Sequence, residues 1–286
     1  MGYDKDENGN LVINEKQAKA VRRIYADYLN GKGSNRIAYE LEREGILNWN
    51  AKAKWYEGSI RKMLSNEKYK GEALLQKTYT TDFLTKKRVE NNGAVPQYYV
   101  EESHPAIIDK DTWEAVQFEM ERRKAFAEKY NIKKLDYVTN DNLFAGRVIC
   151  GCCGSTFGRK VWNSTDERLK RTIWQCNNKY KVKGKIGCRN RHINEEVLYQ
   201  AIVNAFNSIV ENKDYFMSKW KEHLQSDNPL QKYRAKEFIN IIKDAEPLEK
   251  FDIELYLRIL EKLTMFEGEK VIVTFLDGTE IECEID

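Results

Sequence analysis

Cys150-Gly151-Cys152-Cys153-Gly154, with Cys176 and Cys188 further along, is the stretch on which the reading of this chain turns. In so tight a glycine-containing loop the sulfurs of Cys150 and Cys153 can face one ion. The runs Thr156 to Trp162 and Arg171 to Gln175 have strand chemistry and predict a hairpin that carries Cys176 and Cys188 back to the loop. Four thiolates suit a structural zinc ion in a closed tetrahedral site, and a closed site leaves no position for an activated water. No catalytic role is therefore assigned to it. Spacing leaves a second reading open, because eleven residues separate Cys176 from Cys188 where a second knuckle would have two. On that reading the thiols are reduced, buried core residues. Cys152 is expected to leave the loop on the side away from the ion. Cys283 is expected in a core, since Val271, Val273 and Phe275 alternate into an Asp277-Gly278 turn and Ile281, Cys283 and Ile285 alternate out of it.

Charge is distributed as unevenly as the cysteines. Twelve Lys or Arg stand against Asp166 and Glu167 between Arg147 and His192, a local net charge of +10, whereas the whole chain carries only +3. From Ile193 onward twenty acids face eleven bases, a net charge of −9. A basic middle and an acidic tail point to a polyanionic partner for the middle alone. A solvated face whose charges balance in three dimensions is the plainer account of such a run.

Upstream, Asp4 to Asn10 is turn chemistry and Leu11-Val12-Ile13 a brief strand. Asn14 is expected to cap a first helix, with Gln17 reaching back, that carries Val21, Ile24, Tyr25 and Tyr28 at helical spacing. Gly31 and Gly33 end it; Ser34 is expected to cap a second helix bearing Ile37, Ala38 and Leu41, which stops at Gly45. A third helix from about Tyr56 turns Ile60, Met63 and Leu64 inward and leaves Ser59, Arg61, Lys62 and Asn66 on other faces. Three short helices suit a helix-turn-helix reader, although helix count alone favours a plain bundle without a ligand. Extended runs at Tyr69 to Phe83 and Gln97 to Glu101, joined through Asn91-Asn92-Gly93, predict a small antiparallel sheet. A helix from Asp109 with Trp113, Val116 and Met120 comes next. The fold class is thus α+β: a helical, helix-turn-helix-like domain with a small sheet over 1–128, a linker at 129–141, and a zinc-ribbon domain over 142–286. Within the last, a helical segment at 195–263 and a hairpin at 270–285 are expected.

Several of these stretches together resemble the large serine recombinases. They are the helix pair from Asn14 to Gly45, Trp55 with Ile60-Arg61-Lys62-Met63-Leu64-Ser65-Asn66-Glu67-Lys68-Tyr69-Lys70-Gly71, His104-Pro105-Ala106-Ile107-Ile108-Asp109 with Trp113, and the knuckle with Trp174-Gln175-Cys176 and Cys188. Their order is similar to that family's recombinase domain followed by its zinc domain. The resemblance implies part of a DNA recombinase whose nucleophilic serine lies in a separate N-terminal domain. The residues before Asn14 are too few to hold that domain, so no catalytic residue is assigned in this chain. It also implies double-stranded DNA, an attachment half-site, as partner, and self-association in the full recombinase. The family's long coiled coil is not expected: Pro229 and Pro247 interrupt the stretch from Glu195 to Leu263, whose apolar residues sustain no heptad.

Phosphate contacts from Lys and Arg should supply affinity, and a few side chains at base edges specificity. The candidates are Ser59, Arg61, Lys62, Asn66 and Lys68 around the third helix, and Arg159, Lys160, Lys170, Arg171, Arg189 and Arg191 in the ribbon. A zinc hydrolase or nuclease is disfavoured, because His104, His192 and His223 are the only histidines and none stands at metal-ligand spacing. A zinc-ribbon DNA- or protein-interaction module unrelated to recombination is the alternative. No apolar run approaches the roughly 20 residues that span a bilayer and Met1 to Lys5 has no apolar signal core, so a cytoplasmic location is expected and no membrane partner.

Overall fold

A computed structural model describes residues 1–133, 135, 142–163 and 165–285. The chain divides into two compact units, one of Met1–Asp27 with Ile37–Gln117, the other of Tyr28–Arg36 with Phe118–Asp286. Most of the stretch expected as a linker, residue 134 and residues 136–141, lies outside the described residues; Lys129 closes a helix. No helix among the described residues is long and apolar enough to cross a membrane.

In the first unit, strands β1 (Tyr3–Lys5) and β2 (Leu11–Ile13) form an antiparallel pair that leads into α1 (Glu15–Leu29). Asn14 Oδ1 accepts the Gln17 amide at 3.1 Å, as a cap should, but the Gln17 side chain accepts from Gly2 N at 2.8 Å and does not return to Asn14. Gly2, the residue before β1, supplies that competing amide, which local sequence logic cannot see. Helices α2 (Ser34–Arg43) and α3 (Glu57–Leu64) come after it. Ser34, expected to cap α2, has a buried hydroxyl with no hydrogen-bond partner among the described residues. The core gathers Val21, Ile24, Tyr25, Ile37, Leu41, Ile60 and Leu64, all fully or almost fully buried. Tyr25 Oη donates to Met63 O at 2.9 Å, tying the end of α3 to α1.

The block from Leu64 to Gly71 owes its residues to architecture. Asn66 caps a 3-10 turn (Glu67–Lys70) by accepting the Lys68 amide, its carbonyl accepts Trp113 Nε1 at 3.2 Å, and Tyr69 is buried. Tyr69, expected in a strand, sits in that turn instead. Gly71 ends it at φ 86°, where an added Cβ would lie 2.7 Å from His104 O. Gly71→Ala therefore meets both a left-handed backbone and a carbonyl. It is expected to lose about 1–3 kcal/mol of stability in urea unfolding, and an unchanged midpoint would refute the constraint.

Beyond Gly71 the expected sheet is two separate pairs: β3 (Ala73–Leu75) with β6 (Tyr98–Val100), and β4 (Thr78–Thr80) with β5 (Arg88–Glu90). Asn91, expected in a polar loop, is buried because its amide clasps the base of the β4–β5 hairpin: Nδ2 donates to Gln76 O at 2.9 Å and Val95 O at 2.8 Å, and Oδ1 accepts from Gly93 and Val95. Helix α4 (Lys110–Lys129) begins where Asp109 Oδ1 accepts the Thr112 amide at 2.9 Å.

Among its described residues the second unit holds two sheets, the C-terminal part of α4 and four further helices. Strands β8 (Phe157–Trp162), β9 (Arg171–Cys176) and β10 (Ile193–Asn194) form an antiparallel sheet in the order β10-β9-β8. Helices α5 (Glu195–Glu211), α6 (Lys213–His223), α7 (Pro229–Ile242) and α8 (Ile253–Ile259) succeed it along the chain. Pro229 opens α7 with Asn228 capping it. The helical segment expected through 263 ends at Ile259, and β11 (Leu260–Met265) takes its place. A second sheet runs β13-β12-β11-β7, where β7 is Val148–Cys150, β12 Lys270–Phe275 and β13 Glu280–Glu284. The β12–β13 hairpin pairs Val271 with Cys283 and Val273 with Ile281, the inward alternation read from sequence. Phe144, Trp174, Trp220, Phe238, Tyr256 and Phe275 fill the core beneath.

Within this unit lies a buried charge cluster. Glu119 is 0% exposed; it accepts Arg122 Nε at 2.8 Å and Arg123 Nε at 2.7 Å. Arg234 Nη2 stands 3.2 Å from Glu119 Oε2, close enough for ion pairing though not aligned as a hydrogen bond. Arg123 also donates to Tyr28 O and Lys32 O.

Candidate metal centre and its cationic surround

Three chain segments deliver the four sulfurs. Cys150 is the last residue of β7, Cys153 lies in the turn after it, Cys176 ends β9, and Cys188 lies in the loop before β10. The turn is closed by Gly154 N donating to Cys150 O at 2.8 Å and by Cys150 N donating to Ser155 O at 2.8 Å. Gly151 N donates to Met265 O at 2.7 Å, so the turn is docked on β11. Cys150 Sγ is 3.7 Å from Cys188 Sγ, Cys153 Sγ is 3.5 Å from Cys176 Sγ, and all four lie within 4.8 Å of one another. A tetrahedron of sulfurs about 2.3 Å from a central ion has edges of about 3.8 Å, so the cluster has the dimensions of a four-thiolate metal site. Cys152 is exposed and Cys283 buried, both outside the cluster.

The surroundings suit thiolates. Asn190, 0% exposed, donates from Nδ2 to Cys150 Sγ at 3.3 Å and to Met265 O at 2.9 Å. Asn178 Nδ2 is 3.7 Å from Cys153 Sγ, and Lys179 Nζ donates to Asn190 O at 2.7 Å. Such outer partners orient ligands and offset their negative charge. Burial works against ionising Cys150, but the Asn190 amide and the N–H groups of Cys152 and Cys153 outweigh it and bring the thiol down to about 7. Burial pushes Cys176 and Cys188 up. Sequence reasoning missed Asn190, whose only signal was a polar residue hidden between Arg189 and Arg191.

The bases around this centre are not equivalent. Lys160 and Arg189 are exposed and unpaired among the described residues. Lys170 is exposed but paired with Glu167 at 2.8 Å. Arg171 lies over the Trp162 ring, Cζ 5.1 Å from its centroid, and the Trp162 and His192 rings meet at a tilt of 49° with centroids 4.4 Å apart. Arg159 donates to Glu195 Oε1 at 3.0 Å, the same oxygen that accepts Trp174 Nε1, and Arg191 donates to Ile285 O. Those two are partly engaged in holding the ribbon. Burial, then the positive field of Lys179, Arg171 and Arg191, holds the His192 pKa below its ordinary value. Lys181, Lys183 and Lys185 add exposed charge between Cys176 and Cys188.

In the first unit, Ser59 is half-buried and Lys62 exposed, three residues apart on α3. Arg61 is exposed and ion-paired with Glu57 at 2.6 Å. Lys68 is exposed, while the Asn66 side chain is occupied as a cap.

Residues 15–123 match the family Recombinase and residues 143–207 match the Recombinase zinc beta ribbon domain. The chain carries a Recombinase domain followed by a Recombinase zinc beta ribbon domain. Both matched segments appear in the order the sequence suggested, and the second spans the four cysteines. It is similar to a putative DNA recombinase of Bacillus subtilis (strain 168), 25% identical over 231 residues, which are 78% of this chain and 44% of that protein. The chain therefore spans less than half the length of that curated relative. Its fold is similar to a crystal structure of an LSR-DNA complex, with TM-score 0.50, 18% identity, and 96% of this chain and 92% of the other covered. A structure concerned with the sequence requirements of the Listeria innocua prophage attP site aligns at TM-score 0.47 and 19% identity, over 96% and 89% of the two chains.

Proposed function

We propose that this chain is the DNA-binding, attachment-site-recognising region of a site-specific large serine recombinase, acting in the cytoplasm on a double-stranded half-site. The tandem of a recombinase domain and a recombinase zinc ribbon carries the reading. The exposed bases around the four-cysteine cluster supply the electrostatics, since from Arg168 to Asn194 no acidic residue interrupts the run. Strand exchange, the nucleophilic serine and self-association belong to the whole recombinase.

In this reading Cys150, Cys153, Cys176 and Cys188 hold zinc as a structural ion, because four thiolates select a soft tetrahedral metal and leave no open position. The ion contributes rigidity: it joins the end of β7, the end of β9 and the loop to β10, and so holds the cationic hairpin and loop in one orientation. Ser59 and Lys62 on α3, with Arg61 and Lys68 beside them, are assigned to the other part of the half-site, and Asn66 to positioning the backbone beyond α3.

Binding selection on random duplexes tests the function. A single long asymmetric half-site is expected, and failure to enrich any sequence at low salt would refute the reading. Arg61→Ala is expected to weaken binding to the selected duplex and, if Arg61 meets a phosphate, to lower the slope of log K against log salt by about 1. Unchanged affinity and slope would remove Arg61 from the contact surface.

A further inference from the structure

The tip of the β4–β5 hairpin carries two large apolar side chains, Phe83 and Leu84, each 87% exposed, the most exposed of the large hydrophobic residues among the described residues. An isolated two-stranded hairpin with three-residue strands is marginal in water and does not ordinarily end in two apolar residues without a partner. Here both ends of the device are built. Its base is clasped by Asn91 and by the ion pair of Lys77 with Glu67 at 2.5 Å. At the tip, Asp82 accepts the Leu84 amide at 3.0 Å and the Thr85 amide at 3.2 Å, Lys86 N donates to Asp82 O at 2.9 Å, and Thr81 N donates to Lys87 O at 3.0 Å. The turn is held in one shape and Phe83 and Leu84 are presented by it, so little order remains to be imposed on binding.

The cations just beyond the apolar pair identify the occupant. Lys86, Lys87 and Arg88 are consecutive, exposed and unpaired with any carboxylate among the described residues. The one acid between residues 81 and 88, Asp82, has both oxygens turned into the turn's own amides. An apolar point flanked by free cations matches a surface that is anionic outside and apolar within, as stacked bases between phosphates are. We propose that Phe83 and Leu84 form a wedge that enters duplex DNA at a base step, while Lys86, Lys87 and Arg88 bind the adjoining phosphates. This rests on the DNA-binding reading above and adds a local unstacking of the bound site to it.

The test uses the full chain and the duplex recovered by binding selection, with 2-aminopurine placed in turn at each step. The wild-type chain is expected to raise fluorescence at one step, where unstacking occurs. Phe83→Ala with Leu84→Ala, both at largely exposed positions and so compatible with folding, should weaken Kd by about tenfold, abolish the fluorescence rise and leave the salt slope in place. Lys86→Ala with Lys87→Ala should instead lower the slope by about 2. Phe83→Leu should retain the fluorescence signal. If the wild-type chain binds but the apolar double variant matches it in Kd and fluorescence, the wedge is refuted and the DNA-binding reading stands. If the wild-type chain recovers no duplex, both fall. Loss of self-association in sedimentation by the same double variant, with DNA binding unchanged, would assign the tip to a second copy of the chain and overturn the wedge.

Discussion

Stripping the metal from the four-cysteine cluster is expected to unfold the ribbon and with it much of the second unit. The four sulfurs come from the end of β7, the turn after it, the end of β9 and the loop before β10, so an ion held there would replace cross-links that the surrounding core supplies only in part. Structural zinc in small peptides binds with about 10–16 kcal/mol at neutral pH, which is as large as the whole stability of an ordinary domain. Cys176→Ser should lose the ion and most of the strand signal in circular dichroism, and a chelator should do the same to the wild-type chain. Cys152→Ser, in the same turn but exposed and outside the cluster, should change neither. Native mass spectrometry should find one zinc per chain, and cobalt substitution should give the absorption of tetrahedral thiolate coordination. A chain that carries no metal, or melts at the same temperature with and without chelator, would overturn the assignment.

Replacing Glu119 is expected to be the most damaging change away from the metal. Burial alone would push its carboxyl up; Arg234, Arg123 and Arg122 outweigh burial and hold it well below the usual carboxylate range. Glu119→Gln keeps the shape but leaves those guanidinium groups in the interior without their shared countercharge, a change that typically costs about 3–5 kcal/mol. Urea unfolding should show the loss while zinc content stays at one per chain, separating it from damage to the cluster. The sign of the pH effect comes from the lowered value. Stability from Glu119 is complete above its unfolded pKa of about 4.3 and is lost as pH falls from there toward the folded value. The wild-type chain should therefore lose stability below about pH 4, and the Gln variant should lack this component of the acid sensitivity. An equal acid slope in both proteins would refute the account.

The sequence was most legible where local chemistry and tertiary structure agree. The β12–β13 hairpin followed from period-two alternation about Asp277-Gly278, and α3 followed from Ile60, Met63 and Leu64 at helical spacing. Residue type and loop geometry selected four of six cysteines. It was least legible where a distant partner competes for a local group. Gln17 serves Gly2 and not Asn14, and Leu260–Met265 pairs with β12 on one side and β7 on the other where its apolar residues alone suggested helix. Periodicity cannot separate a short buried strand from a buried helical turn, because both place apolar residues close together.

Residue type and order along the chain, by themselves, determined that four thiols frame a cationic hairpin and that helices precede it; both come from side-chain chemistry and short-range spacing. Only the tertiary structure decided which charges remain available. It engaged Arg159 with Glu195 and Arg191 with Ile285 O, left Lys160 and Arg189 in solvent, buried Asn190 against Cys150 and raised Phe83 and Leu84 on a clasped hairpin. The physical reason is that exposure and ion pairing depend on residues far apart in the chain, which sequence spacing does not encode.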